Sequence, residues 1–191
     1  MSDICLLRGR LRIRWDFFLL ILLVLLLCAE EIVFIMLPGI LVHELGHILL
    51  LRLNGGRVGR ITLTFRGITI VPSGGGGGVF RCLGEILAGP LFSFVFAFLL
   101  AGISPVTAGF SLLFGLFNLL PCRCLDGGRA VETVLGVFCD DAAGVSEIIS
   151  AAVTAALIIA GAAAGNMILL AAGLWTMRPS GYIIGKKTIR R

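Results

Sequence analysis

The sequence predicts an all-α polytopic membrane protein of about six transmembrane helices, with a short β-strand or hairpin segment between the second and third spans. Three observations carry that prediction. Hydrophobic residues fill 58% of the 191 positions and charged ones only 14%, with a mean hydropathy of +1.07, far more apolar than a soluble domain. Six apolar stretches recur, from Phe17 to Ala29, Ile32 to Leu51, Leu83 to Ile103, Val106 to Leu120, Ala142 to Ala160 and Met167 to Met177. Several approach the ~20 residues that a spanning helix needs. Every Lys and Arg falls into one of four clusters, Arg8 to Arg14, Arg52 to Arg81, Arg123 with Arg129, and Arg178 to Arg191, which six spans place on one side.

The first stretch follows four arginines and reads as an uncleaved helix rather than a signal peptide. No small-x-small site follows it, and Leu27 before Cys28 is too large for lipoprotein cleavage. The first and last stretches are short, so five spans or a re-entrant end also fit, since a bilayer thins to absorb mismatch. The loops near Glu30-Glu31, Ser104-Pro105 and Gly165-Asn166 carry no basic residue, which predicts cytoplasmic termini, including a tail over 178–191. The net charge of +5 is accounted for by orientation and by contact with anionic lipid in the bilayer, and calls for no nucleic-acid partner.

After the second stretch, Arg57 to Val71 is rich in β-branched residues with partial alternation, predicting one or two strands around Arg66-Gly67. Such backbone belongs at the membrane face or beside a wet cleft. Ser73 and the glycines from Gly74 to Gly78 read as a flexible linker, either a spacer or a hinge. Arg129 to Phe138, after Gly127-Gly128, reads as a short amphipathic helix at the interface. The six cysteines form no C-x-x-C or zinc-ribbon spacing and are expected to act as small apolar residues. There is no internal repeat, and residues 1–191 read as one membrane-embedded domain.

One motif stands out chemically. His43-Glu44-Leu45-Gly46-His47 is H-E-x-x-H, which on a helix puts both imidazoles on one face a turn apart, beside a carboxylate. This suits zinc, with two His ligands, a third protein ligand and a water that Glu44 deprotonates as general base. The chain holds only two histidines. Random placement would give this pattern on the order of a few times in ten thousand. An ionisable cluster inside an apolar span is also costly and marks function before structure.

Most other acids, Asp3, Asp16, Glu30, Glu31, Asp140, Asp141, Glu147 and Glu132, fall near predicted ends or on the interfacial helix. Glu85 and Asp126 remain as third-ligand candidates. Asp126 follows the fourth stretch in a loop where Pro121 and Gly127-Gly128 break the helix and can turn a carboxylate back toward the second span. Glu85 reads as a helix-start or packing residue of the third span.

The chain resembles the site-2 protease family of intramembrane zinc metalloproteases (peptidase M50). His43-Glu44-x-x-His47 resembles the family's first zinc motif, Leu87-Ala88-Gly89-Pro90-Leu91 its A-G-P segment, and Asn118-x-x-Pro121 with Leu125-Asp126-Gly127-Gly128 its second zinc motif. These segments span about 32–129, where the resemblance implies a three-helix catalytic core. It further implies one zinc ion held by His43, His47 and Asp126, catalysis by Glu44, substrate positioning by Asn118 and Pro121, and cleavage of an unwound membrane segment. Ser93 departs from the Asn common after the A-G-P segment. The compact size and flanking spans most resemble the stage IV sporulation protein FB subgroup, which implies a bacterial cell membrane. The implied partners are a membrane protein or membrane-bound precursor as substrate, and regulatory membrane proteins. The competing functions are a metal transporter, which would be expected to have ligands on several spans and a second metal station, and a silent scaffold, which would usually have lost one of His43, Glu44, His47 or Asp126.

Overall fold

In the computed structural model, residues 4–6, 11–27, 30–64, 67–73 and 78–177 are described. Gly74 to Gly77, the pair Phe65-Arg66 and the basic tail over 178–191 lie outside them. The elements are β1 (Ile4–Leu6), β2 (Leu11–Ile13), α1 (Trp15–Leu27), α2 (Glu30–Leu53), β3 (Arg57–Thr64), β4 (Gly67–Ser73), α3 (Val79–Leu100), α4 (Pro105–Asn118), α5 (Asp126–Phe138), α6 (Ala142–Ala163) and α7 (Met167–Thr176).

Each of the six apolar stretches contains a helix, and α5 occupies the expected amphipathic segment. Among the described residues, three helices, Glu31–Leu53, Val79–Leu100 and Ala142–Ala163, are long and apolar enough to cross a membrane. The others, α1, α4 and α7, have 13, 14 and 10 residues. At 1.5 Å per residue they reach about 15–21 Å, less than the ~30 Å hydrocarbon core. Helix lengths therefore support a membrane protein with three full-length spans and do not establish six.

The described residues divide into two compact units, one comprising residues up to 76 with 87–117, the other 77–86 with 118 onward. The first unit contains the helices that carry the H-E-x-x-H motif and the A-G-P segment. Its helices meet through small residues: a Cβ on Gly46 would lie 2.7 Å from the Ala88 carbonyl, and one on Gly115 would lie 3.0 Å from Ser93 Cβ. Most buried positions are small, Ala88, Ser93, Ala97, Thr107, Ala108 and Ser111 beside His43 and Leu51, whereas Leu45, Leu49, Leu91, Phe98 and Leu113 face outward. This inverts a soluble core and follows from the solvent: lipid gains nothing from excluding Leu, so small residues that let backbones approach hold the helices together.

The same unit carries the sheet, ordered β1-β2-β3-β4. The β3–β4 hairpin was expected; the two N-terminal strands were not. β2 pairs parallel to β3, aligning Leu11 with Ile61 and Ile13 with Leu63. β4 continues the rows by setting Ile70 opposite Ile61 and Ile68 opposite Leu63. Strands of three residues are too short to register as period-2 alternation. β3 lies inside the sheet and β4 forms an outer edge.

A Schellman turn ends α2: Gly56 N–H donates to the Leu51 carbonyl and Gly55 N–H to that of Arg52, both at 2.9 Å. Gly55 takes φ +73, a conformation that disfavours other side chains. The stop places His47 six residues before the helix end, next to the basic hairpin.

In the second unit α6 and α7 form a helical hairpin whose turn carries Gly165 at φ +60 and Asn166, the latter capping α7 through Ile168 and Leu169 N–H groups. Gly161 and Gly173 allow the helices to meet, since a Cβ would lie 2.5 Å from Leu170 N or 2.7 Å from Ile158 Cγ1.

Candidate metal centre

His43 and His47 lie one turn apart on α2, and their Nε2 atoms are 3.3 Å apart. Two Zn–N bonds of about 2.0–2.1 Å at the tetrahedral angle separate the nitrogens by about 3.3 Å, so the pair has the spacing zinc requires. His43 is buried, with the edge of Phe114 against its ring at 5.0 Å between centroids, while His47 and Glu44 are half-buried.

The A-G-P segment explains the free space at this face. A Cβ on Gly89 would lie 2.7 Å from His43 Nε2 and 2.6 Å from His47 Cε1, and would overlap His47 Nε2. A side chain there would fill the volume an ion would occupy, so Gly89 keeps the donor atoms accessible. Behind the ring, His43 Nδ1 is 2.9 Å from Ser93 Oγ. Ser93 is fully buried, and its carbonyl accepts the Ser111 hydroxyl at 3.1 Å. The sequence marked Ser93 only as a departure. Its partner is 50 residues away, and no local spacing reveals it.

Asp126 is the first residue of α5, where the positive end of the helix dipole favours a carboxylate. It is buried, with Arg129 Nη1 at 3.4 Å from Oδ1. Gly127 and Gly128 bring the helix start against the preceding loop, since Cβ atoms there would run into the Leu119 and Cys122 carbonyls. That loop is tied to the α6–α7 hairpin: Arg123 N–H donates to Ser150 Oγ at 3.0 Å, Cys122 Sγ is 3.9 Å from Thr154 Oγ1, and Thr154 Oγ1 is 3.1 Å from Thr176 Oγ1. Burial pushes the Cys122 thiol above its ordinary range, against the hydroxyls of Thr154 and Thr176, which pull it down. Cys122 therefore stays a protonated thiol and packs, as expected of a small apolar residue.

His43 and His47 belong to the first unit, and Asp126 and Glu85, the two candidates for a third ligand, to the second, where Asp126 is buried and Glu85, in α3, half-buried. Asn118 is the last residue of α4 and Pro121 lies in the loop after it, both half-buried. By residue type, two imidazoles and one carboxylate have the composition of a catalytic zinc site, which keeps its fourth position for water or substrate.

No protein-family model matches the sequence, and no curated protein does. Among solved structures, the site-2 protease from Methanocaldococcus jannaschii aligns with a TM-score of 0.69 over 92% of this chain and 92% of that one, at 20% identity. The chain has the fold of that site-2 protease, and it is a membrane protein.

Proposed function

We propose that the chain is an intramembrane zinc metalloendopeptidase that cleaves a membrane-associated or transmembrane segment near the cytoplasmic face. The observation that carries this reading is the pair of His43 and His47, their Nε2 atoms at the spacing zinc requires, in a chain whose motif puts Glu44 directly after the first ligand; Asp126 is the third ligand of the proposal. Zinc, when bound, supplies a Lewis acid that acidifies water towards a pKa of ~7 and polarises the scissile carbonyl.

The protein's own groups do the rest. The two imidazoles offer neutral Nε2 lone pairs, and Asp126 supplies a negative charge. Glu44 accepts a proton from the attacking water and passes it to the leaving amine nitrogen, so a C–O bond forms, the C–N bond breaks, and an acid and an amine result. Asn118 and Pro121 position the substrate. A helical substrate shields its peptide bonds and must unwind first. Once extended, it can add as a strand to the outer edge of β4, with main-chain hydrogen bonds supplying affinity.

In this reading the protein is an integral protein of a bacterial cell membrane with both termini cytoplasmic, allied to the stage IV sporulation protein FB subgroup and governed by regulatory membrane partners. The test is Glu44→Gln: zinc content is retained and cleavage of a tagged membrane substrate is lost. Cleavage by the purified variant refutes the role of Glu44. Comparing small membrane proteins and transcription-factor precursors in cells carrying either form identifies the substrate as the fragment that appears only with Glu44 intact.

A further inference from the structure

We infer that Ser93 is a positioning residue that fixes His43 in the tautomer whose Nε2 faces the metal. The inference rests on the proposed metal centre and adds to it a device belonging to this chain. A neutral imidazole has one N–H and one lone pair, and the partner of one nitrogen decides which atom carries the proton. His43 Nε2 is 3.3 Å from His47 Nε2 and next to the space that Gly89 leaves. His43 Nδ1 faces the other way, with Ser93 Oγ at 2.9 Å. A hydrogen bond donated by Nδ1–H to Ser93 Oγ leaves the Nε2 lone pair toward the space.

The serine is itself held. It is fully buried, its carbonyl accepts the Ser111 hydroxyl at 3.1 Å, and Gly115 lets α4 press to within van der Waals distance of its Cβ. Phe114 closes on the His43 ring at 71°, limiting rotation. Ser93 has little freedom to turn away, and the imidazole little freedom to flip.

The test exploits the presence of only two histidines. ¹⁵N-histidine labelling of the metal-free protein at pH 8 reads the tautomer of each ring directly, and chelator competition reads zinc affinity. Wild-type His43 is expected in the Nδ1–H form. Ser93→Ala is expected to move it toward the Nε2–H form and to weaken zinc binding by about 10–100-fold, the usual effect of removing a partner behind a ligand. Ser93→Cys keeps the volume while weakening the acceptor, so it is expected to shift the tautomer as Ala does; it also serves should the Ala variant not fold. Thr107→Val deletes a buried hydroxyl of α4 that bonds Ser104, and leaves the His43 tautomer in place, which separates the hydrogen bond from general loosening of the helices.

An unchanged His43 tautomer in both Ser93 variants, or zinc affinity within twofold of wild type in Ser93→Ala, overturns the assignment. His47→Ala is the check on the metal centre: retention of full zinc affinity there sinks that reading, while the metal-free tautomer measurement still decides the role of Ser93.

Discussion

The two regions that supply the proposed ligands are organised on opposite principles. His43 and His47 owe their relation to the α-helix alone, because four residues of spacing on α2 put both rings on one face. Asp126 owes its place to contacts far away in the chain: a loop packed under Gly127 and Gly128 and laced to Ser150, Thr154 and Thr176 by hydroxyl groups. A pair built into a helix resists substitution around it and fails only when its donor face is filled. A ligand held by a loop fails by degrees as its supports are removed.

The sharpest break is predicted at Gly89. Gly89→Ala puts a methyl group into the space beside both Nε2 atoms without touching either histidine. Ordinary overpacking costs about 1–3 kcal/mol, and here the obstacle is a backbone-fixed Cβ lying on the donor atoms. Zinc affinity is expected to fall by upward of about 100-fold, with helicity by circular dichroism unchanged. Zinc binding near the wild-type level would mean that the ion is not held at this face.

Gly128→Ala probes the other region. The Cβ would meet the Cys122 carbonyl, forcing the loop and the start of α5 apart, with Asp126 two residues before the substitution. The expected outcome is about 1–3 kcal/mol lower stability in detergent unfolding together with roughly tenfold weaker zinc binding. The contrast with Gly89→Ala is the informative part: one should lose metal with the fold intact, the other should lose both together. Equal behaviour of the two variants would remove the distinction between a helix-built and a loop-held ligand.

How much of this was legible in the sequence follows the same division. The motif, the apolar stretches and the β3–β4 hairpin are local patterns with periods of 3.6 or 2, and each appears where it was read. β2 is held by register with Ile61 to Leu63, about fifty residues on, and β1 by pairing with β2, and nothing within three residues announces that. Asp126 could be narrowed to one of two acids from the helix-breaking Pro121 and Gly127-Gly128, but its supports could not, because Thr154 and Thr176 are ordinary hydroxyl residues until the α6–α7 hairpin brings them together. Ser93 and Gly89 are similar: each stands in the A-G-P region of the sequence, and the reason for it lies across a helix–helix contact.

Thr154→Val tests one strand of the loop's lacing. It removes the hydroxyl between Cys122 and Thr176 while keeping the shape. Hydrogen bonds between helices in membranes average about 0.6 kcal/mol, because the unfolded chain in a bilayer finds other partners. The expected loss is of that size in stability and about threefold in zinc affinity, measured by chelator competition. A loss as large as that of Gly128→Ala would show that the hydroxyls, rather than the close backbone packing, hold the loop.

The smallest effect belongs to charge. Arg123 reaches Glu147 at 2.9 Å and Glu132 at 3.8 Å, joining the loop to α6 and α5, but the glutamate side chains are 51% and 38% exposed. Exposed pairs are screened by water and salt and are worth about 0.2–1 kcal/mol. Arg123→Ala is therefore expected to lower stability by less than about 1 kcal/mol, with the difference from wild type shrinking as salt is raised, and to leave zinc affinity within about twofold. Its backbone N–H, which donates to Ser150, survives the substitution, so the shape of the loop should persist. A large, salt-sensitive loss of zinc would instead mean that the loop is held by its charges, and the contrast between a helix-set pair and a packing-set carboxylate would then have to be redrawn as one between packing and electrostatics.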